Sequence, residues 1–366
     1  LLAVGRWCKW YWQKNWFHKI VVVLILLIGL SVGTMYGIAR CYIWQQSDKP
    51  LVLGASFIPD YAEQLGVDPQ ATLHTMLTDL GIKHLRFVSY WNDIEPTAGH
   101  YDFSTLDWEF AQADAAHAQV SLSIGLRQPR WPECHPPSWV DTSQPESQWE
   151  PALKQYMQAV IERYRNNPAL QSYQLENEYL LKAFGQCQNF DRGRLISELA
   201  LVKQLDSKHP VIIARSNNAL GVPLGQPTPD EFGVSVYKRV WDQTITRRYF
   251  EYPFPAWFYA FLAGSGEIVT GKNIVIHELQ AEPWPPYGES LQQTSIAVQN
   301  ESLSPQRLKD RFQYGEATGI RQIDLWGAEF WYYRMVKLHD PDLWNVAKQQ
   351  YTAARVSNAK LSQQQH

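Results

Sequence analysis

Between residues 51 and 353 the chain alternates eight short apolar runs with longer stretches of helical pattern, and this alternation limits the folds open to it. The runs are 51–56, 83–89, 119–125, 172–176, 210–215, 232–236, 273–277 and 321–326, each of strand length and apolar character. Amphipathic segments lie between most of them, at 69–80, 105–117, 149–165, 191–205, 305–318 and 341–353. The intervals after the fifth and sixth runs are less regular, with a Pro- and Gly-rich loop at 221–229 and an aromatic segment at 249–262. Strands that alternate with helices pair in parallel, and eight such units predict closure into a (β/α)8 barrel. An open, doubly wound sheet is the competing arrangement. No Gly-x-Gly-x-x-Gly or phosphate loop follows the first run, which counts against its nucleotide-binding version. One domain over 51–355 accounts for the pattern, and the polar tail 356–366 is expected to be disordered.

The N-terminus has a different character. Residues 20–39 carry no charge, which is about the length a helix needs to cross a hydrocarbon core. Ahead of them, in segment 1–19, Arg6, Lys9, Lys14 and Lys19 are interleaved with Trp7, Trp10, Trp12 and Trp16. Such a basic, aromatic flank belongs at the cytoplasmic interface, which predicts a single-pass signal anchor in the cell membrane with the main domain outside the cytoplasm. A cleaved signal peptide, cut after the small residues Gly37 and Ala39, competes with it. A linker is expected over 40–50.

Composition narrows the partners. A net charge of −3 gives no electrostatic case for nucleic acid. Sixteen Trp and nineteen Tyr are more than a core needs, and some are expected to stack on sugar rings. Of the four cysteines, Cys134 and Cys187 fall in the loops after the third and fourth runs, which a barrel makes neighbours. In an exported domain they form either a disulfide or two free thiols. No zinc-type spacing occurs, and neither a metal nor an organic cofactor is expected.

Barrel active sites form where the strands end, so the residues closing each run are the candidates. The second run opens into Trp91, Asn92 and Glu95, the third into Arg127, Arg130 and Glu133, and the fourth into Asn177-Glu178. The fifth ends near Asn217 and the sixth at Tyr237; the seventh ends at Glu278 with Gln280, Glu282 and Trp284 beyond it, and the eighth ends at Trp326. Glycoside hydrolysis uses two carboxyl groups flanking the scissile bond, and Glu178 and Glu278 emerge at opposite strand ends. Glu176 and Glu282 are the competing pair, and the Arg127, Arg130 and Glu133 group reads as a solvated loop, with binding of an anionic sugar as the alternative.

Gln174-Leu175-Glu176-Asn177-Glu178-Tyr179 resembles the strand-four motif of glycoside hydrolase clan A, in the version found in bacterial β-galactosidase families. Glu278-Leu279-Gln280 with Trp284 is loosely similar to their nucleophile loop. Trp91 through Glu95-Pro96 to Gly99-x-Tyr101-Asp102-Phe103 resembles the segment after their second strand, and Arg86 and Trp326 match positions these enzymes use. The additional domains typical of the β-galactosidases are not seen, which leaves the sugar open. The resemblance implies a membrane-anchored retaining β-glycosidase acting on an oligosaccharide, polysaccharide or glycoside. Glu178 would be its acid/base, Glu278 its nucleophile and Asn177 the donor to the sugar 2-hydroxyl. Tyr237 would touch the nucleophile, Arg86 supply positive charge and Trp326 form the sugar floor, while Trp91, Asn217 and Trp284 complete the substrate-binding set. A transglycosylase and an inactive carbohydrate-binding barrel share these residues.

Overall fold

A computed structural model describes residues 16–179, 181–182, 184–187, 190–216 and 227–364. Eight parallel strands close into a barrel: β1 (Val52–Ser56), β2 (His84–Val88), β3 (Gln119–Ile124), β4 (Leu170–Leu175), β5 (Val211–Arg215), β6 (Glu231–Val236), β9 (Asn273–Gln280) and β10 (Gln322–Trp326). These coincide with the eight runs. β1 pairs with β10 to complete the closure, which rules out the open sheet. Between β6 and β9 a small antiparallel hairpin, β7 (Arg239–Trp241) and β8 (Tyr249–Glu251), stands where the pattern was least regular.

The helices are α1 (Trp16–Gln46), α2 (Pro59–Gln64), α3 (Pro69–Thr75), α4 (Trp91–Ile94), α5 (Ser104–Ala115), α6 (Glu146–Tyr164), α7 (Arg192–Leu205), α8 (Ala256–Thr270), α9 (Ile296–Ser302), α10 (Pro305–Ala317), α11 (Ala328–Lys337) and α12 (Asp342–Gln364). Local chemistry sets their starts. Asp68 accepts from the Ala71 N–H ahead of Pro69, and Ser304 accepts from the Arg307 N–H ahead of Pro305. Each side chain satisfies a backbone donor that the first helical turn leaves open, and the proline occupies a position where no N–H is needed. α6 buries Leu153, Tyr156, Met157, Val160, Ile161 and Tyr164, whose spacing lays one apolar stripe along the barrel wall.

Inside the barrel the amino-end half is polar and tightly packed. His84 and Asp324 meet at 2.6 Å, and this is possible because Gly54 has no side chain. A Cβ there would lie 2.1 Å from the Asp324 carboxylate.

Two chain segments differ from expectation. α1 runs beyond residue 39 to Gln46, so most of the expected linker is helix. Its last turns are helical because they have a surface to pack on, with Ala39, Tyr42 and Gln46 buried. At the other end α12 continues to Gln364, and Asn358 exchanges hydrogen bonds with the backbone of Leu51. Much of the expected disordered tail is therefore tied to the start of β1. α1 is long and apolar enough to cross a membrane.

Candidate active site

The seventh barrel strand, β9, carries an irregularity that shapes the mouth. Against β6 the register runs Val234 with Ile276 and then Ser235 with Glu278, so His277 is an extra residue. Side chains of a regular strand alternate between faces, and a bulge breaks that alternation. Here two successive residues reach barrel-interior groups. His277 packs where a Cβ on Gly233 would stand, and Glu278 pairs with Arg86 at 2.8 Å.

Glu278 is 3% exposed and held on both oxygens. Arg86 Nη2 donates to Oε1, and the Tyr237 hydroxyl donates to Oε2 at 2.7 Å. Arg86 is itself fixed, donating from Nε to Ser56 at 2.9 Å and from Nη1 to Gln174 at 3.2 Å. Trp284 packs edge-on against Tyr237, with ring centroids 5.6 Å apart.

At the end of β4 the backbone turns sharply. Glu176 and Glu178 both lie in the left-handed region, with φ of 54° and 42°, a conformation uncommon for residues other than glycine. The turn sends the two carboxyls to different places. Glu176 accepts from the N–H groups of Leu126 and Arg127 and from Arg194 of α7, at 2.8–3.0 Å. Fully engaged by these donors, it knits β4 to the loop after β3. Glu178 instead has a buried Oε1 with no hydrogen-bond partner among the described residues. Burial, then the charges of Glu278 and Glu133, push its pKa up to about 8. It therefore holds a proton at neutral pH.

Asn177 accepts from Gln174 at 2.9 Å and donates to Glu133 at 3.0 Å. Glu133 in turn lies 3.4 Å from Arg127. This corrects the solvated-loop expectation: Arg127 and Glu133 are 1% and 3% exposed. Their loop folds back because Arg127 donates to the Asn177 carbonyl at 2.6 Å and because Cys134 is bonded to Cys187, with Cα atoms 5.3 Å apart. Burial pushes Glu133 up to about 7, against the pull of Arg127 and Asn177. Opening the disulfide in a Cys134→Ser/Cys187→Ser variant is expected to lower unfolding free energy by about 2–4 kcal/mol, because it frees a long loop in the unfolded chain. Denaturant titration of the two forms measures the difference.

Trp326 donates from its indole N–H to Glu282 at 2.9 Å and lies under the guanidinium groups of Arg130 and Arg86. Glu282 also accepts from the Tyr61 hydroxyl at 2.6 Å and from Arg130 at 3.1 Å. It is thus an anchor for the mouth wall. Trp91 is a correction: it is fully buried, donates to Glu95 at 2.8 Å and stacks on Tyr156, so it supports the loop from behind. Asn217 lies outside the described residues. The site therefore gathers Arg86, Asn177, Glu178, Tyr237, Glu278, Trp284 and Trp326 at one end of the barrel. Sequence reasoning missed the roles of Gln174, Glu133 and Glu282, for which only their polar character at strand ends was a signal. No group of metal-binding side chains occurs among the described residues.

No family model and no curated protein sequence matches the chain. Solved structures do. A β-galactosidase from Rahnella sp. R3 superposes with a TM-score of 0.55 at 13% identity, over 85% of this chain and 56% of that one. A β-galactosidase from the haloarchaeon Halorubrum lacusprofundi gives 0.51 at 13%, over 75% and 52%. A GH5_18 enzyme from Bifidobacterium longum, solved with Manβ1-4GlcNAc, gives 0.59 at 10%, over 83% and 78%. The chain resembles the (β/α)8 glycosidases. At these identities the likeness is one of fold, and the chain spans about half the length of the two β-galactosidases.

Proposed function

We propose that the protein is a retaining β-glycosidase anchored to a membrane by α1. One observation carries the glycosidase reading: two buried carboxyls at the ends of the fourth and seventh barrel strands sit in opposite environments. Glu178 keeps its proton, while Glu278 faces a guanidinium and a phenol hydroxyl. In this reaction Glu278 attacks the anomeric carbon as the glycosidic C–O bond breaks, and Glu178 passes its proton to the leaving oxygen. Glu178, now ionised, takes a proton from water; that water attacks the same carbon and releases Glu278. Asn177 would hold the sugar 2-hydroxyl, Arg86 and Tyr237 would keep Glu278 aimed, and Trp326 and Trp284 would offer flat faces to the sugar. The glycosidases among the solved structures of this fold support the reading.

Purified full-length protein assayed on a panel of aryl β-glycosides tests it. Turnover of at least one sugar is expected; no turnover of any would leave a binding module, and elongated products would indicate glycosyl transfer. For the anchor, the protein is expected to stay with membranes through alkaline carbonate extraction, with the barrel open to protease from outside the cytoplasm. Release into the supernatant would contradict it.

A further inference from the structure

The path of α1 past the barrel determines which face looks at the membrane. Tyr36 meets Trp257, in the first turn of α8, with ring centroids 5.7 Å apart. Within the next two turns, Ile38 and Tyr42 close on Gly264, where an added Cβ would lie 3.1 Å from each. Farther along, Ile43 approaches Gly319, and Arg321 Nε donates to the Gln46 carbonyl at 2.7 Å. α8 starts on the mouth side, after the β7–β8 hairpin, and ends just before β9 begins; Gly319 and Arg321 precede β10. α1 therefore descends the barrel wall from the mouth to the opposite face, where the chain enters β1. The apolar residues before Tyr36 project beyond the mouth. From Trp16 to Tyr36 is about 30 Å of helix, the thickness of a hydrocarbon core.

The hairpin adds a second, independent observation on the same face. It rises from the end of β6; its turn exposes Ile245 by 88% and its second strand exposes Phe250 by 47%. Arg247 and Arg248 beside them are exposed and form no ion pair among the described residues. Trp241 and Tyr249 pack together, and Trp241 also meets Tyr287, itself 68% exposed. Apolar, aromatic and cationic side chains grouped in this way suit the headgroup layer of a bilayer that carries anionic lipid.

We propose that the catalytic mouth faces the bilayer and that its substrate is a saccharide carried on a lipid of that membrane. The proposal rests on α1 as an anchor and on the Glu178/Glu278 pair as a glycosidase. An anchor on the opposite face would leave the mouth to soluble glycans. Here the helix enters the membrane beside the mouth, so a soluble polymer must reach under the domain while a lipid-borne sugar is already there.

Two measurements on the full chain in phosphatidylcholine/phosphatidylglycerol vesicles test the proposal. In a Cys8→Ser/Cys41→Ser background, an environment-sensitive fluorophore is placed at Ile245→Cys on the hairpin or at Ser207→Cys in the loop before β5. Spin-labelled lipid is expected to quench the hairpin label several-fold more. Equal or reversed quenching, with the protein still floating with the vesicles, overturns the orientation; loss of flotation defeats the anchor and the proposal with it. The second measurement takes the sugar that the aryl panel selects and compares its octadecyl glycoside in vesicles with its methyl glycoside in solution. The octadecyl form is expected to have at least tenfold higher kcat/KM. Ile245→Asp combined with Arg247→Glu and Arg248→Glu is expected to remove that advantage while leaving the methyl glycoside unchanged. Equal kcat/KM for the two substrates overturns the lipid-borne substrate. No turnover of either defeats the glycosidase reading, and the quenching ratio then decides the orientation alone.

Discussion

Glu278→Gly is expected to lower turnover of an aryl β-glycoside by about four orders of magnitude or more, the scale of losing a covalent nucleophile. The variant leaves a space where the carboxylate stood. Azide is expected to enter that space and restore release of an activated leaving group, giving a glycosyl azide of α configuration that NMR identifies. The surroundings favour this outcome over simple unfolding. Arg86 keeps Ser56 and Gln174 as partners after the carboxylate has gone, although a buried guanidinium that loses its charge partner does cost stability. Glu282→Gly serves as the control, since that carboxylate is already engaged by Tyr61, Arg130 and Trp326. If Glu282→Gly showed azide rescue and Glu278→Gly remained active, the nucleophile would be reassigned.

The second large effect concerns Glu178. With its pKa pushed up to about 8 by burial and by the Glu278 and Glu133 charges, it is protonated at pH 7 and loses its proton above pH 8. kcat/KM is therefore expected to fall on the alkaline side with an apparent pKa near 8, the acid limb of the profile belonging to other groups. Glu178→Gln is expected to lower kcat/KM on a methyl glycoside by about two to four orders of magnitude, while a dinitrophenyl glycoside, whose leaving group needs no proton, loses far less. Stability gives an independent check. The folded state binds this proton more tightly than the unfolded chain, so the associated stabilisation is full at low pH and is lost as pH rises through about 8. Glu178→Gln cannot ionise, so its Tm is expected to decline less than the wild type's between pH 7 and 9. An unchanged alkaline limb in the variant would place the titrating acid elsewhere.

How far the sequence could be read follows from which forces act locally. All eight barrel strands coincide with apolar runs because the face that packs against the helices is apolar, even where the barrel-facing residues, such as His84, Arg86, Gln174 and Asp324, are polar. The N-cap and proline signals at Asp68-Pro69 and Ser304-Pro305 likewise mark helix starts from within four residues. The strand-end carboxyls were legible because a barrel gathers all its carboxyl ends at one mouth. What the sequence did not disclose depends on distant partners. The extra residue at His277 is visible only against the register of β6, and it is what lets both His277 and Glu278 reach the interior. Arg127 and Glu133 look like solvated loop residues until the turn at Glu176–Glu178 and the Cys134–Cys187 bond fold them under Asn177. Trp91 has the composition of a sugar platform, but Tyr156, 65 residues away in sequence, covers it. The extension of α1 past residue 39 arises the same way, since the small residues of α8 that receive it lie more than 200 positions downstream.

Covalent trapping distinguishes Glu278 from every other carboxylate at the mouth. The full-length protein is incubated with the 2-deoxy-2-fluoro dinitrophenyl β-glycoside of its preferred sugar, digested, and the modified peptide sequenced by mass spectrometry. One fluoroglycosyl group per chain is expected, attached to Glu278, with inactivation in step with labelling. A label on Glu282 or another residue, or a chain that turns over aryl glycosides and takes no label, would contradict it.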